Sequence, residues 1–445
     1  MKRVPHNQIW FGTDGIREKV GQGPLTIEHL PRLGFVIGQW LVKRYGAYCK
    51  VLIGHDTRIS CSFIKAALES CLLLQPLVVL DAQTLPTPAV CHLVKESDDI
   101  KAGIIVTASH NRYQDNGIKL INSTGAKIKN DAAEIEQLFA ECSITNHDYT
   151  NLGQLTMFNN AADTYISGVC KRFAPLFLSG TTIALDCAHG AFSTIAPQIF
   201  ESLGANVIAI NNQPDGKNIN DNCGALHTES LIETVKKSGA DIGFACDGDG
   251  DRLVVVSNDG VKKDGDDILA LLSQHTQYAD EKAVVGTIMS NEGFNAWLAK
   301  GHKKLLRTDV GEPSVIEEIN RSKLMLGGEP SGHIVLNDYL GSSDAVFTAL
   351  RLLEIIIQTN NWKLETFERY PQINLAVPVK EKLPLDQPHL ARIIQQGREQ
   401  LPNGRLIIRY SGTEQILRIT AEDRNKEHTE AIAQNIAKQF KEKLC

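Results

Sequence analysis

Residues 244–256 read FACDGDGDRLVVV, and no other stretch limits the fold so sharply. Two apolar runs, short enough to be buried strands, meet at a turn carrying Asp247, Asp249 and Asp251 at alternate positions. The intervening glycines let the backbone turn tightly enough for the three carboxylates to converge. Converging carboxylates repel one another, so the turn calls for a hard divalent cation. Its spacing imitates the start of a calcium-binding EF-hand loop. In such a loop the sixth position is glycine and the twelfth glutamate, whereas here they are Arg252 and Asn258, and the flanks are strands instead of helices. Magnesium with open coordination positions fits better. A solvated acidic turn, the plain alternative, leaves the charge density of DGDGDR unexplained.

Around this turn the 445-residue chain alternates short apolar runs with helical patterns, which argues for α/β layers. Its length suits about three or four domains. CKVLIGHDTR reads as a strand ending in a polar loop, and ISCSFIKAALESCLLL as a helix with apolar spacing through Ile59, Phe63, Ala66 and Ala67. TTIALDCAHGAFSTIAPQIFESLGANVIAI repeats that plan as strand, glycine turn, helix, a Leu203-Gly204 stop and a further strand. EKAVVGTIMSNEGFNAWLAKGHKKLLRTDVG does so a third time. Three such units suggest three similar domains, without any residue-level repeat. YPQINLAVPVKEKLPLDQP reads as a linker. After it, GRLIIRYSGTEQILRIT gives two strands around a polar loop and NKEHTEAIAQNIAKQFKEKL an amphipathic helix, which together make a small α+β domain. The expected domain limits are 1–152, 153–258, 259–370 and 371–445.

A formal net charge of -6 offers no basic footprint for nucleic acid. Ten cysteines without a C-x-x-C pair are expected to be reduced thiols, neither a disulfide framework nor a zinc site. The N-terminal stretch has no apolar signal-peptide core, and no apolar run reaches the roughly 18 residues of a membrane span, so we expect a cytoplasmic protein with no membrane partner.

Four more polar loops carry candidate chemistry. In IIVTASHNRYQDNGIKL, Ser109 follows a buried strand beside His110. Successive side chains of an extended segment point to opposite sides, so His110 is expected to face away from the serine hydroxyl. Nor is there a G-x-S-x-G nucleophile elbow. Magnesium with few protein ligands completes its shell with phosphate oxygens, and a phosphorylated serine offers three of them. Ser109 therefore reads as a phosphate carrier whose phosphoryl group a metal polarises. The rival from another class is a serine hydrolase using Ser109, a distant histidine and Asp247 as orienter; it leaves two aspartates idle. In RYSGTEQILR, Arg409, Ser411, Gly412 and Thr413 form an anion nest suited to a phosphate held but not transferred, with Arg418 as a second guanidinium. In GGEPSGHIVL, Glu329, Ser331 and His333 alternate onto one side and suit sugar hydroxyls. In FGTDGIR, Thr13 and Arg17 flank a turn.

Taken together, FGTDGIR, TASHN, DNGIK, DGDGDR, GGEPSGH and SGTE occur in the order and at the spacing of the α-D-phosphohexomutase superfamily, which the whole chain resembles. Stretches such as GHDTRIS, PTPAV and GANVIAI make it most similar to the bacterial phosphoglucosamine mutase branch. The resemblance implies three related α/β domains with mixed sheets plus a C-terminal α+β phosphate-binding domain around a central cleft. It implies an isomerase in which phosphoserine at Ser109 passes its phosphoryl group to glucosamine 6-phosphate, through a bound 1,6-bisphosphate that also serves as activator. In cells this step would feed amino-sugar nucleotide and cell-wall precursor synthesis.

By the same resemblance, one Mg²⁺ would sit on Ser109, Asp247, Asp249 and Asp251, with Arg252 neutralising charge and Lys119 transferring a proton. Arg17, His110 and His333 complete the catalytic candidates. Glu329, Ser331 and His333 would read sugar hydroxyls, while Arg409, Ser411, Gly412, Thr413 and Arg418 grip the other phosphate. Five positions depart from the family pattern. Arg112 replaces a proline after SHN and either reaches the serine's phosphate or loosens the loop. Tyr410 and Gln415 replace a lysine and a proline around SGTE, which removes a cation. Pro313 replaces an arginine. Pro330 stands where the branch carries an amide, which leaves mannose and glucose phosphates as alternative substrates. A sugar-phosphate sensor descended from a mutase is the non-catalytic alternative, and a homodimer is left open.

Overall fold

The computed structural model describes residues 11–12, 14–128, 131–142, 149–411 and 415–444. It contains four sheets flanked by helices. The first has six strands in the order Ile16–Lys19, Asp115–Ile121, Ile100–Val106, Lys50–His55, Val78–Thr84 and Gln154–Met157. The second has five, ordered Lys262–Lys263, Leu253–Ser257, Ile242–Cys246, Thr182–Asp186 and Asn206–Ile210. The third has four, ordered Lys304–Thr308, Ala283–Thr287, Leu326–Gly328 and Ile334–Leu336. Two of these strands, Gln154–Met157 and Lys262–Lys263, lie beyond residues 152 and 258 yet belong to the sheets that precede those positions.

The first three sheets share one plan. In each, a run of parallel strands, four in the first sheet and three in the other two, ends in an antiparallel hairpin: Ile100–Val106 with Asp115–Ile121, Ile242–Cys246 with Leu253–Ser257, and Leu326–Gly328 with Ile334–Leu336. The turns of those three hairpins are the serine, aspartate and GGEPSGH loops. A repeat that is absent from the residues is therefore present in the topology.

Burial ties these three units into one body. A continuous apolar cluster runs from Leu52, Val90 and Ile105 through Phe192 and Phe244 to Phe294 and Phe347. At about 25 cal/mol per Å² of apolar surface removed from water, such a shared core resists separation of the units. The fourth sheet, Gln372–Pro378, Ile416–Glu422 and Arg405–Tyr410, is antiparallel and has its own core around Leu390, Leu417, Ile436 and Phe440. It meets the third unit through polar groups. Arg405 donates to the carbonyls of Ile288 at 3.0 Å and Ser290 at 2.6 Å, and Glu422 accepts from the Glu292 amide at 2.7 Å.

Two local expectations need correction. The segment read as a linker supplies the edge strand Gln372–Pro378, since its Ile-Asn-Leu-Ala-Val alternation suits a strand and Pro378 falls at the strand's end, where a missing amide is tolerated. In the helix Cys61–Leu72 the buried side is Cys61, Ile64, Leu68 and Leu72, while Ile59 and Phe63 are exposed at 58% and 42%. Both stripes have helical spacing, and the longer one packs on the neighbouring helix Leu30–Tyr45, where Gly34 and Gly38 permit close approach. The described cysteines are all free thiols, and among the described residues no helix is long and apolar enough to cross a membrane.

Candidate active site

Asp247, Asp249 and Asp251 occupy the turn after strand Ile242–Cys246 and are each 1% exposed. Gly250 has φ +79, and a Cβ there would lie 2.3 Å from the Phe192 ring, so only glycine closes this turn. Ligand atoms of the three carboxylates all lie within 4.8 Å of one another. Asp249 Oδ1 is buried with no hydrogen-bond partner among the described residues. Burial, reinforced by Asp249 and Asp251, pushes the Asp247 carboxyl up to about 7. A converging, under-satisfied, oxygen-only donor set is what a hard divalent cation requires, so these residues fit Mg²⁺.

Two buried lysines partly offset the acids. Lys119 Nζ lies 2.8 Å from Asp249, 2.9 Å from Asp251 and 3.0 Å from Asp14. Lys127 Nζ lies 3.0 Å from Asp14 and 2.9 Å from Asp251, and also pairs with Glu312. Burial opposes the charge on Asp251, but Lys119, Lys127 and His333 outweigh it and hold that carboxyl well below its ordinary range.

Ser109 is fully buried, and its hydroxyl donates to Asp247 Oδ2 at 2.7 Å, which links the serine loop to the aspartate turn. Its φ is +52, in the left-handed region. That kink overturns the expectation for His110: the chain is not extended here, and His110 Nδ1 comes 3.3 Å from the serine Oγ. Burial, with help from Arg252 and Arg17, pushes His110 down to about 4, so the ring is neutral. A hydrolase would need the aspartate on the histidine; here Asp247 binds the serine itself, which disfavours that rival. Arg112 does not turn toward Ser109. Its exposed guanidinium lies 3.8 Å from Asp221, a residue of the second unit.

Above this floor opens a cavity of about 840 Å³. Each sheet contributes to its lining: Arg17 from the first, Arg252 from the second, Glu329, Ser331 and His333 from the third, Arg409 and Arg418 from the fourth. His333 Nε2 is 3.1 Å from Asp251 and Nδ1 is 3.1 Å from Glu329. Burial works against a charged ring, but Asp251 and Glu329 prevail and push His333 up to about 9. Glu329 also accepts from the Gly311 amide at 2.8 Å, so both of its oxygens are engaged. Arg409 and Arg418 are directly opposite across antiparallel strands, so both guanidiniums can bear on one anion.

Several site features carried little or no sequence signal. Lys127, Asp14 and Glu312 complete the charge network; only Asp14 lies inside a recognised motif. Thr87, within PTPAV, donates to Asp249 at 2.6 Å. Lys382, outside every recognised motif, donates from Nζ to the Ser411 carbonyl at 2.6 Å. Pro313 lies in the first turn of helix Glu312–Ser322, where its ring suits the helix start. Thr13, Gly412 and Thr413 lie outside the described residues.

Comparison with known proteins shows the family. Family models described as phosphoglucomutase/phosphomannomutase α/β/α domains I, II and III and C-terminal domain match residues 8–144, 163–260, 264–372 and 373–439. The chain belongs to this family, the α-D-phosphohexomutase superfamily. Within it, the chain is 39% identical over 438 residues to the phosphoglucosamine mutase of Acinetobacter baumannii, covering 96% of this chain and 97% of that one. It is 39% identical over 423 residues to that of Coxiella burnetii, covering 93% and 94%. A phosphoglucomutase/phosphomannomutase family protein from Burkholderia thailandensis has the same fold, with TM-score 0.81, 20% identity and coverage of 99% and 98%. Aspergillus fumigatus N-acetylphosphoglucosamine mutase, solved with GlcNAc-6P and magnesium, superposes with TM-score 0.65 at 16% identity, covering 100% of this chain and 98% of that one.

Proposed function

We propose that this protein is a phosphoglucosamine mutase, an isomerase that interconverts glucosamine 6-phosphate and glucosamine 1-phosphate. The observation that carries the reading is the Ser109 hydroxyl held 2.7 Å from Asp247, at a carboxylate triad beneath a cavity that collects arginines from three sheets. Ser109 carries the phosphoryl group. In the first half-reaction the Ser109 Oγ–P bond breaks as the sugar's free hydroxyl forms its own bond to phosphorus, giving a 1,6-bisphosphate. Burial opposes the charge on Lys119, but Asp14, Asp249 and Asp251 outweigh it and keep it an ammonium, so it relays the hydroxyl proton by passing one of its own to those carboxylates as it receives it. After the sugar turns over in the cleft, Ser109 Oγ accepts the other phosphoryl group and the isomeric monophosphate leaves.

Arg409 and Arg418, with Ser411, Gly412 and Thr413, grip whichever phosphate is not reacting. Glu329, Ser331 and His333 bind sugar hydroxyls, and Arg17 and Arg252 offset charge near the transferred group. Mg²⁺ would be held by Asp247, Asp249, Asp251 and a phosphoserine oxygen, and when bound it supplies polarisation of the phosphoryl group. Four domains, the first extended to take in Gln154–Met157 and the second to take in Lys262–Lys263, and a cytoplasmic location belong to the same reading, which leaves a homodimer open.

Intact-mass measurement before and after incubation with glucose 1,6-bisphosphate tests it. A gain of one phosphate, localised to Ser109 by peptide mapping, is expected. A chain that takes up no phosphate, or remains fully active in excess chelator, would sink the reading.

A further inference from the structure

GHDTRIS and the residues around Asn220 have no part in the chemistry above, yet both converge on the serine loop. Arg58, 2% exposed, donates from its terminal nitrogens to the carbonyls of Ser109 and Asn111 at 2.8 Å each and of Arg112 at 2.6 Å. Asp56 orients it by accepting from its Nε at 2.9 Å. From the second unit, the Asn220 side-chain amide donates to the same Ser109 and Asn111 carbonyls, at 2.8 and 3.0 Å. Asn220 is itself buried and left-handed, with φ +56. Gly248 of the aspartate turn approaches this junction so closely that a Cβ would lie 2.8 Å from the Ser109 carbonyl and 2.7 Å from the Asn220 amide.

A serine at positive φ costs on the order of 1–3 kcal/mol and persists only where its surroundings fix it. Five donated bonds from two units do so here. The geometry points to Arg58 and Asn220 as positioning residues for phosphoryl transfer: they grip the serine loop by its carbonyls so that Ser109 stays left-handed, aimed at Asp247. Because one comes from the first unit and the other from the second, the carrier serine and the aspartate turn move as one piece while the sugar reorients. Phosphoryl transfer depends almost wholly on placement and electrostatics, and a displacement of about 1 Å can cost about 10²-fold in rate.

This inference rests on the phosphoserine reading, and the experiment separates the two. Asn220→Gly removes the amide while suiting the positive φ, and Arg58→Lys keeps the charge but replaces the fork with one nitrogen. For wild type and both variants, kcat and KM for glucosamine 6-phosphate, thermal midpoint and phosphate occupancy by intact mass are measured. We expect kcat to fall about 10²-fold with KM within about twofold, while phosphate still mounts on Ser109. If Arg58→Lys fails to fold, Asn220→Gly decides. Wild type taking up phosphate with kcat of Asn220→Gly within twofold would overturn the positioning role alone, as would a change in KM that accounts for the whole loss. Wild type taking up no phosphate would overturn the underlying reading and this inference with it.

Discussion

The serine loop and the aspartate turn occupy the same place in neighbouring sheets, yet they are built by opposite means. The aspartate turn is short, and its sharp backbone rests on Gly250 at φ +79, a conformation glycine adopts at little cost. Its difficulty is electrostatic, and lysines from the first unit offset it at 2.8 to 2.9 Å. The serine loop carries little local charge, but its left-handed residue must present a hydroxyl and so cannot be glycine. Its difficulty is conformational, and hydrogen bonds from Arg58 and Asn220, with one from the Ser109 amide to Thr107 Oγ1, offset it. Where the chemistry permits glycine the backbone adapts; where it demands a particular side chain, the surroundings must brace the backbone instead.

The sharpest way to break this contrast is at Ser109. Ser109→Ala and Ser109→Gly should each lose turnover by more than about 10⁴-fold, as removal of a covalent carrier does. The glycine variant should nevertheless be more stable than the alanine one by about 1 kcal/mol in urea unfolding, because only glycine takes a positive φ without strain. Equal stabilities would mean that the loop is unstrained.

On the aspartate side, Lys127→Met removes a counter-charge shared by Asp14, Asp251 and Glu312. With buried carboxylates left uncompensated, a loss of about 3–5 kcal/mol is expected in urea titrations. A change under about 1 kcal/mol would show that Lys119 alone suffices.

A control lies outside both loops. His92 is buried against the rings of Tyr165 and Tyr339, and burial pushes it down to about 4 from an ordinary 6.5. The unfolded chain gains the proton near 6.5 and the folded one only near 4, so its contribution is complete above 6.5 and lost as pH falls through 4. Acidification over that window should cost about 2–3 kcal/mol that His92→Leu does not lose. Parallel acid limbs for variant and wild type would place the acid sensitivity elsewhere.

The smallest effect is expected at the third hairpin turn. Pro330 lines the cavity without a polar side chain, and Glu329 is already committed to His333 and Gly311. Wild type should prefer glucosamine 6-phosphate while retaining high side activity on glucose or mannose 6-phosphate. Pro330→Gln should raise the ratio of kcat/KM values about tenfold by offering the 2-amino group a partner. An unchanged ratio would remove Pro330 as the determinant.

Legibility in the sequence followed the range of the forces involved. Asp247, Asp249 and Asp251 could be read because their chemistry is local, concentrated in one turn. Arg17, Glu329, His333 and Arg409 could be read because each sits in a compact motif, and the cavity gathers them all. Lys127 could not: it is an ordinary lysine in sequence and acquires its meaning only where three units meet. His110 was misjudged because a single left-handed residue reverses the direction of everything after it. The helix Cys61–Leu72 has two apolar stripes, and periodicity alone does not choose between them. The strand Gln372–Pro378 was obscured by prolines at its margin.

The shared strand order has a consequence for inheritance. In all three units working residues sit on a hairpin turn, Ser109, the three aspartates, and Glu329 with His333, while the paired strands beneath are buried and mostly apolar, Lys119 being the exception. Mutations can therefore rewrite one turn, and with it the carrier, the metal or the sugar preference, without disturbing the scaffold that descendants must retain.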